Sequence, residues 1–308
     1  MNEIFMRRAL QLARGGEGRV APNPMVGAVV VARDRIIGEG FHRTYGGPHA
    51  EVNAIASVKE ADLPLLREAT VYVTLEPCSH YGKTPPCALL LVEKGIKRVV
   101  IGAPDPNPLV AGRGVSMLRE AGIEVTEGVL LDECMAINRR FMTFHSLHRP
   151  WILLKWAQSA DGFMAAIDEA GNPGPVTFSN PLSSVWMHRE RAGVQAIMVG
   201  SHTILTDHPR LDVRLWAGNN PEKIGCPHGL DLRRLMDDLT RRGITSLMVE
   251  GGPTLLASFI REGLYDEIRI ETAPAALGKG LRAPLLPPDL ESVGNSSCRG
   301  NGIAVFRR

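Results

Sequence analysis

At 308 residues the chain has room for one large domain or two of ordinary size, and its 44% hydrophobic and 22% charged residues are those of a globular protein with a full core. Lys and Arg number 35 against 33 Asp and Glu, so a net charge of +2 removes the electrostatic reason to expect nucleic acid or an anionic membrane as partner. A small anionic substrate is not excluded, because a few local cations suffice to hold one. Five cysteines, an opening MNEIFMRRALQLARGG without an apolar leader, and no apolar run near the roughly 18 residues of a membrane helix point to a reducing cytoplasm. In that compartment paired cysteines are metal ligands more often than disulfides.

Ile4, Phe5, Ala9, Leu12 and Ala13 recur at helical spacing, and Gly15-Gly16 ends that helix. Val26–Val31 and Arg35–Gly40, apolar runs around a charged turn, predict a hairpin. A helix over His49–Val58 is entered through Gly46-Gly47-Pro48. Thr70–Leu75 reads as a buried strand, and Cys87–Lys94 as a short helix with Pro86 at its start, where proline is tolerated. Arg98–Gly102, Gly114–Ala121 and Ile123–Thr126 follow as strand, helix and strand. This alternation predicts an α/β layer whose later strands are largely parallel. At HSLHRP the pattern restarts, which sets a domain boundary near residue 148. Beyond it, strands are expected over Trp151–Ala157, Ala196–Val199, Ser246–Val249 and Glu267–Thr272, and helices over Leu182–Arg191, Leu232–Arg242 and Thr254–Glu262. Leu281–Pro288, rich in Leu and Pro, reads as a surface loop.

Replacing an amidine-like C–NH2 with C=O needs a hydroxide at neutral pH and a proton shuttle. Zinc held by three protein ligands, with the fourth position open, brings a bound water to a pKa of roughly 7. A carboxylate that is not a ligand moves the protons. Zinc nucleobase deaminases carry H-x-E followed by P-C-x-x-C. Here His49-Ala50-Glu51 stands at a predicted helix start, Pro77-Cys78 follows the strand TVYVTLE, and Cys87 opens the next helix. We therefore expect His49, Cys78 and Cys87 to hold Zn2+ and Glu51 to be the catalytic acid–base. The cysteines are spaced C-x8-C, and the turn residues of Ser79–Pro86 allow the insertion to loop out and return Cys87 to the metal. Two helix N-termini facing one point favour thiolate over thiol. A purely structural zinc site would ordinarily have four protein ligands, where this pattern offers three. A nucleic-acid-editing deaminase would need a basic groove and stacking aromatics, against which stand 5% aromatics and the near-neutral balance. A zinc-storage module is the remaining rival.

Three stretches, Ala21–Val31 (APNPMVGAVVV), Gly47–Glu51 (GPHAE) and Thr74–Cys87 (TLEPCSHYGKTPPC), resemble the deaminase domain of the bifunctional riboflavin-biosynthesis deaminase-reductase family. The long cysteine loop separates that family from cytidine and tRNA-adenosine deaminases. The resemblance implies a cytidine-deaminase-like three-layer α/β domain over residues 1–146 and a dihydrofolate-reductase-like α/β domain over residues 149–308. It implies a small-molecule substrate, a diamino-hydroxy-pyrimidinone bearing a ribosylamino 5-phosphate, and a homo-oligomer. It places substrate contacts on Asn23, His42, His80 and Lys83. Asn23 can read a base or sugar edge, while the other three can meet a phosphate or ribose hydroxyl.

In the second half, Arg149–Gly162 (RPWILLKWAQSADG), Val199–Arg214 (VGSHTILTDHPRLDVR) and Val249–Ser258 (VEGGPTLLAS) resemble the family's reductase domain. The resemblance implies NADPH contacts at Ala157, Thr203 and Asp207, and at Gly252, Pro253, Thr254, Leu255, Leu256, Ala257 and Ser258. It implies substrate contacts at Arg191, Leu211, Arg214 and Glu250, and makes Asp207 the candidate for the catalytic step. Independently, Glu250-Gly251-Gly252 before a helix lets a phosphate approach backbone N–H groups, and no G-x-G-x-x-G follows a strand, so a Rossmann fingerprint is absent. After Pro221-Glu222-Lys223-Ile224 the chain departs from the family. It passes through GCPHGLDL straight into a helix, where the family pattern has further strands that we expect to be central. PVTFSN at residues 175–180 also lacks a tryptophan seen in some members. Either the reductase half is shortened, or a segment is missing from the sequence as given. A deaminase with a non-catalytic second domain is the corresponding alternative.

Overall fold

In the computed structural model, which describes residues 3–81, 85–108 and 110–308, the chain divides into two units, Met1–His148 and Arg149–Arg308. The first contains α1 (Glu3–Ala13), β1 (Gly27–Ala32), β2 (Arg35–Phe41), α2 (Ala50–Ala56), β3 (Thr70–Leu75), α3 (Cys87–Glu93), β4 (Arg98–Ala103), α4 (Arg113–Glu120), β5 (Glu124–Thr126), α5 (Leu131–Ile137) and α6 (Arg139–Leu147). Its sheet runs β2-β1-β3-β4-β5. The first three strands pair antiparallel and β3, β4 and β5 pair parallel. Every residue of β1 and of β3 is buried, because helices cover both faces and such strands read as continuous apolar runs. Ala54, Leu91 and Leu118 bring α2, α3 and α4 onto one face. Met6, Cys134 and Phe141 bring α1, α5 and α6 onto the other. This is the three-layer arrangement expected. At Gly40 a Cβ would lie 2.3 Å from the Ala54 nitrogen, so this glycine lets α2 rest directly on β2. Helices α5 and α6 were not expected from the sequence, since their buried positions are too few to mark a face: only Cys134 is buried in α5, and Phe141 and Met142 in α6.

The second unit contains β6 (Trp151–Gln158), β7 (Phe163–Ile167), β8 (Pro173–Gly174), α7 (Pro181–Ala192), β9 (Ala196–Gly200), α8 (Ser201–Asp207), β10 (Glu222–Cys226), α9 (Leu232–Arg241), β11 (Ser246–Val249), α10 (Pro253–Arg261), β12 (Glu267–Thr272), β13 (Leu281–Arg282), β14 (Glu291–Cys298) and β15 (Asn301–Arg307). The main sheet runs β10-β9-β11-β6-β12-β15-β14 and a small one β13-β7-β8. The first five strands of the main sheet are parallel, and the C-terminal hairpin β14–β15 adds on antiparallel. One face packs on α9 and α10 through Met236, Leu239, Leu256 and Phe259. On the other, Met187 and Val194 on and after α7, with Leu211, cover Trp151, Leu153, Ile197 and Met248.

The expected break after Ile224 is not a break in the fold. All of β10 pairs in register with β9, Glu222 opposite Ala196 through Cys226 opposite Gly200. A turn closed by the Leu230 N–H on the Pro227 carbonyl (3.3 Å) then delivers Asp231, whose carboxylate caps α9 by accepting the N–H groups of Arg233 (2.9 Å) and Arg234 (3.2 Å). The place of the departure is also corrected. β10 is the outermost strand, so the residues at the expected departure lie at the sheet's edge and not, as expected, among the central strands. Five residues with a glycine carry little strand preference of their own, and pairing with β9 decides their conformation.

Candidate active sites

The first site is assembled by three chain reversals in the first unit. His49 is the extended residue that caps α2 (φ −71°, ψ 167°), Cys78 lies just beyond β3, and Cys87 is the first residue of α3. His49 Nδ1 stands 3.5 Å from Cys78 Sγ and 3.3 Å from Cys87 Sγ, and the three ligand atoms all lie within 4.8 Å of one another. Tetrahedral zinc with ordinary Zn–N and Zn–S bonds requires N···S separations of about 3.5 Å, so the residues present fit that ion. The Cys87 backbone N–H, at the N-terminus of α3, donates to Cys78 Sγ (3.3 Å). Contact with the Cys87 thiol and His49 holds the Cys78 thiol down to about 4. Cys87 is driven the other way, first by the Cys78 sulfur and then by burial. A divalent cation between them would favour thiolate at both. Glu51, in the first turn of α2 and 3% exposed, has its carboxyl pushed up to about 7 by burial and then by the Cys78 charge. A group poised there can both accept and return a proton near neutrality.

Around this centre the expected substrate residues separate into two kinds. His42 is only 3% exposed. Its Nδ1 donates to the Pro48 carbonyl (3.0 Å) and its Nε2 accepts from Asn23 Nδ2 (3.1 Å), while burial lowers its pKa. Both ring nitrogens have partners within the protein, so His42, expected at a phosphate or ribose hydroxyl, here braces the Pro48-His49 turn and Asn23. Among the described residues no other bond holds the Asn23 side-chain amide, which leaves its side-chain oxygen and one N–H for a ligand. His80 is exposed, and Lys83 lies outside the described residues.

Further residues in the site went unnoticed in the sequence. Glu76, 4% exposed, accepts four backbone N–H groups, those of Asp105 (3.4 Å), Gly112 (3.1 Å), Gly114 (3.0 Å) and Val115 (3.3 Å). It thereby ties the end of β3, next to Cys78, to the start of α4. Gly114 permits that approach, since a Cβ there would lie 2.0 Å from the Pro77 carbonyl oxygen. Asp105 is buried beside it. Burial, opposed by the Asn107 N–H, raises its carboxyl to about 6, with Glu76 and Cys78 adding to the rise. Asn138, between α5 and α6, accepts the Met25 N–H (2.7 Å) and donates to the Met25 carbonyl (2.9 Å), fixing the Asn23 loop. The available signal was a lone charge ending a buried apolar run, TVYVTLE.

In the second unit the alternation along the central strands changes character halfway. On the α7 face β6 presents Trp151 and Leu153 to the core, then Lys155. On the same face follow Glu250 after β11 and Arg269 and Glu271 in β12. Lys155 is 9% exposed. Burial lowers its pKa against the pull of Glu250 and Glu271. From α7, Arg191 forks Glu250, Nε to Oε1 at 3.0 Å and Nη2 to Oε2 at 2.6 Å. Burial works against the Glu250 charge, but Arg191 and Lys155 outweigh it and leave the carboxyl below its usual range. Glu271 accepts from Ser179 Oγ and Asn301 Nδ2, each at 2.6 Å. Arg214 lies on a loop fastened to α7 and pairs with Asp212.

The connection after β9 runs outward to β10 and that after β11 runs back across the sheet to β12, so adjacent strand ends diverge there, the place where open α/β sheets bind ligands. Thr203 in α8 and the start of α10 flank it. Gly252 caps α10 with no side-chain bond and Pro253 follows at the first helical position. A Cβ at Gly252 would meet nothing within 4 Å, which leaves the N–H groups of the first turn open to a dinucleotide phosphate. The residues present fit the pyrophosphate of a nicotinamide cofactor. Leu256, Ala257 and Ser258, the far end of the expected NADPH set, lie further along α10. Leu256 is fully buried in the core and its N–H goes to the Gly252 carbonyl (3.2 Å), and the Ser258 hydroxyl donates to the Thr254 carbonyl (3.0 Å). Ala257 lies deeper in the same helix, and Ala157 sits half-buried near the end of β6. Leu211 is buried with a φ of 48°, so it shapes its loop from the core side. Asp207 closes α8, and its side chain lies outside the described part of the structure.

Residues 1–103 match the family model for the cytidine and deoxycytidylate deaminase zinc-binding region. Residues 150–228 and 223–298 match that for the RibD C-terminal domain. The riboflavin biosynthesis protein RibD of Actinobacillus pleuropneumoniae is 38% identical over 331 residues, covering 91% of this chain and 86% of its own. That of Aquifex aeolicus is 37% identical, covering 91% and 89%. This chain belongs to the RibD family. A solved Thermotoga maritima family structure, a diaminohydroxyphosphoribosylaminopyrimidine deaminase/5-amino-6-(5-phosphoribosylamino)uracil reductase, superposes with a TM-score of 0.87 at 36% identity, covering 99% of this chain and 98% of its own. The two RibD C-terminal matches overlap at residues 223–228, in β10 and the turn after it.

Proposed function

We propose that the chain carries out two steps of riboflavin biosynthesis, a zinc-dependent hydrolytic deamination in residues 1–146 and an NADPH-dependent reduction of the ribosyl to a ribityl group in residues 149–308. The substrate is a phosphorylated ribosylamino-pyrimidinone. The observation that carries this reading is the His49–Cys78–Cys87 cluster beside buried Glu51 in one chain with the RibD C-terminal domain. Relatives that align through both halves do not favour the deaminase-only alternative.

Zinc, when bound by the three ligands, supplies a hydroxide at neutral pH. Glu51 takes a proton at its carboxylate and returns it to the departing amine, so that ammonia leaves. Asn23, held by His42, orients the pyrimidinone or its sugar, and His80 and Lys83 meet the ribose or phosphate. In the second half, the N–H groups of Gly252, Thr254 and Leu255 receive the cofactor phosphates, with Pro253 beside them and Thr203 and Ala157 along the cofactor's path, and NADPH supplies the hydride. Arg214 binds the anionic substrate, Arg191 and Glu250 frame the ribosyl group with Lys155, and Asp207 is the candidate proton donor. In this reading the half is shortened at β10, supported by the overlapping matches and by β10 running unbroken into α9. A homo-oligomer and a cytoplasmic location complete the reading. Among the described residues no helix is long and apolar enough to cross a membrane.

The test is a coupled assay on the zinc-loaded chain that follows ammonia release and NADPH oxidation separately. Glu51→Gln should abolish the first, keep one zinc per chain, and leave reduction of the deaminated intermediate intact. Unchanged ammonia release would end the mechanism, and no NADPH oxidation by the parent chain would end the reductase assignment.

A further inference from the structure

We propose that His188 is a positioning residue for the reduction, holding Arg214 in its substrate-binding place through a hydrogen bond that only the unprotonated imidazole can accept. The proposal rests on the reading of Arg214 as a substrate contact. His188 is 3% exposed on α7, and its Nδ1 accepts the backbone N–H of Arg214 (3.1 Å). An accepting Nδ1 places the single proton of the neutral ring on Nε2.

The same helix grips the loop at two further points. One turn along, Arg191 Nη1 donates to the Asp212 carbonyl (3.3 Å) while the rest of its guanidinium forks Glu250. Leu211 packs against Met187 and Val194. The outer side of the loop is tied by the Val213 N–H to Asn220 Oδ1 (2.8 Å). Leu211 and the 212 carbonyl therefore set where the loop begins, and His188 sets where it delivers Arg214. Arg214 Nη1 also pairs with Asp212, so its head group is aimed from within a loop whose backbone α7 fixes.

A protonated ring carries N–H on both nitrogens and would face the Arg214 N–H donor to donor. The groups facing His188 are Arg191 on its own helix, Arg214 and Asp212 on the loop, and Glu250 beyond β11. Burial, with Arg191 and Arg214, outweighs Asp212 and Glu250, and the imidazole is held below its ordinary pKa. At neutral pH the clamp is closed, and it opens as pH falls.

Reduction kinetics with NADPH and the deaminated substrate, together with the amide resonance of Arg214, test this. In the parent chain KM should rise as pH falls below the ordinary imidazole range, kcat should change less, and the Arg214 amide should titrate in step with His188. His188→Asn keeps an acceptor at the Nδ1 place that does not protonate, so KM should stay within roughly threefold of the parent at neutral pH and lose its rise in acid. His188→Phe removes the acceptor and should raise KM about tenfold at every pH, with kcat within roughly twofold. A parental KM in His188→Phe, or a persistent acid rise in His188→Asn, would overturn the positioning role. A parent chain that oxidises no NADPH, with the Arg214 amide still following His188, would instead overturn the functional reading beneath it.

Discussion

Removing Arg191 while leaving Glu250 in place isolates the buried ion pair at the centre of the second unit. The side chains are 13% and 11% exposed and meet through two charge-assisted bonds of 3.0 and 2.6 Å. Breaking one partner of such a pair ordinarily costs about 3–5 kcal/mol, because the surviving charge is left without its counter-ion. Lys155 still faces Glu250 in Arg191→Leu, so the expected loss is near the lower end, about 3 kcal/mol. At a urea slope of roughly 2 kcal/mol/M that lowers the midpoint by about 1.5 M. All four tryptophans, Trp151, Trp156, Trp186 and Trp216, lie in the second unit, so intrinsic fluorescence follows its unfolding separately from the first. Adding Glu250→Gln removes the orphaned charge, and the double variant should recover more than half of the lost stability. A midpoint shift under about 0.3 M for Arg191→Leu, or a double variant less stable than the single one, would refute the reasoning.

Gly114→Ala forces a Cβ toward the Pro77 carbonyl next to Cys78; zinc release to a chelator should quicken, alongside a loss of roughly 1–3 kcal/mol in the first unit, and parental zinc retention would show that α4 does not buttress the site. Gly252→Ala meets open space, so its stability should stay within about 0.5 kcal/mol of the parent while the NADPH Kd, read from tryptophan quenching, weakens severalfold; an unchanged Kd would place the cofactor phosphates elsewhere. Asp161 accepts from Ser159 Oγ (2.6 Å) and the N–H groups of Leu277 (3.0 Å) and Gly278 (2.7 Å), and these donors hold its carboxyl down to about 2. A carboxyl depressed by folding adds stability above its ordinary value of roughly 3.9, and that stability drains away as pH falls toward 2. In Asp161→Asn the second unit's acid loss across that window should be shallower than in the parent, and identical profiles would count against the bond set.

The spacing of His49, Glu51, Cys78 and Cys87 sufficed to name the metal chemistry, because each residue sits at a helix start or strand end that local sequence marks. Other roles were decided by contacts distant in the chain. His42 is in the expected place, yet its two nitrogens are consumed by Pro48 and Asn23, which no spacing reveals. Arg191 and Glu250 were expected on the substrate, and the fold also pairs them with each other across 59 positions. Glu76 ends one apolar run and Lys155 interrupts another, and only contacts with residues distant in the chain make them a cap and a buried charge.

The sequence by itself determined the α/β alternation, the boundary near residue 148 and the zinc triad with a carboxylate beside it, since periodicity, turn residues and ligand spacing are local properties. Tertiary structure alone decided how the chain passes from Ile224 to Asp231. There β10 is held by hydrogen bonds from β9 and by the capping of α9, interactions that compensate for the weak strand preference of Glu222–Cys226.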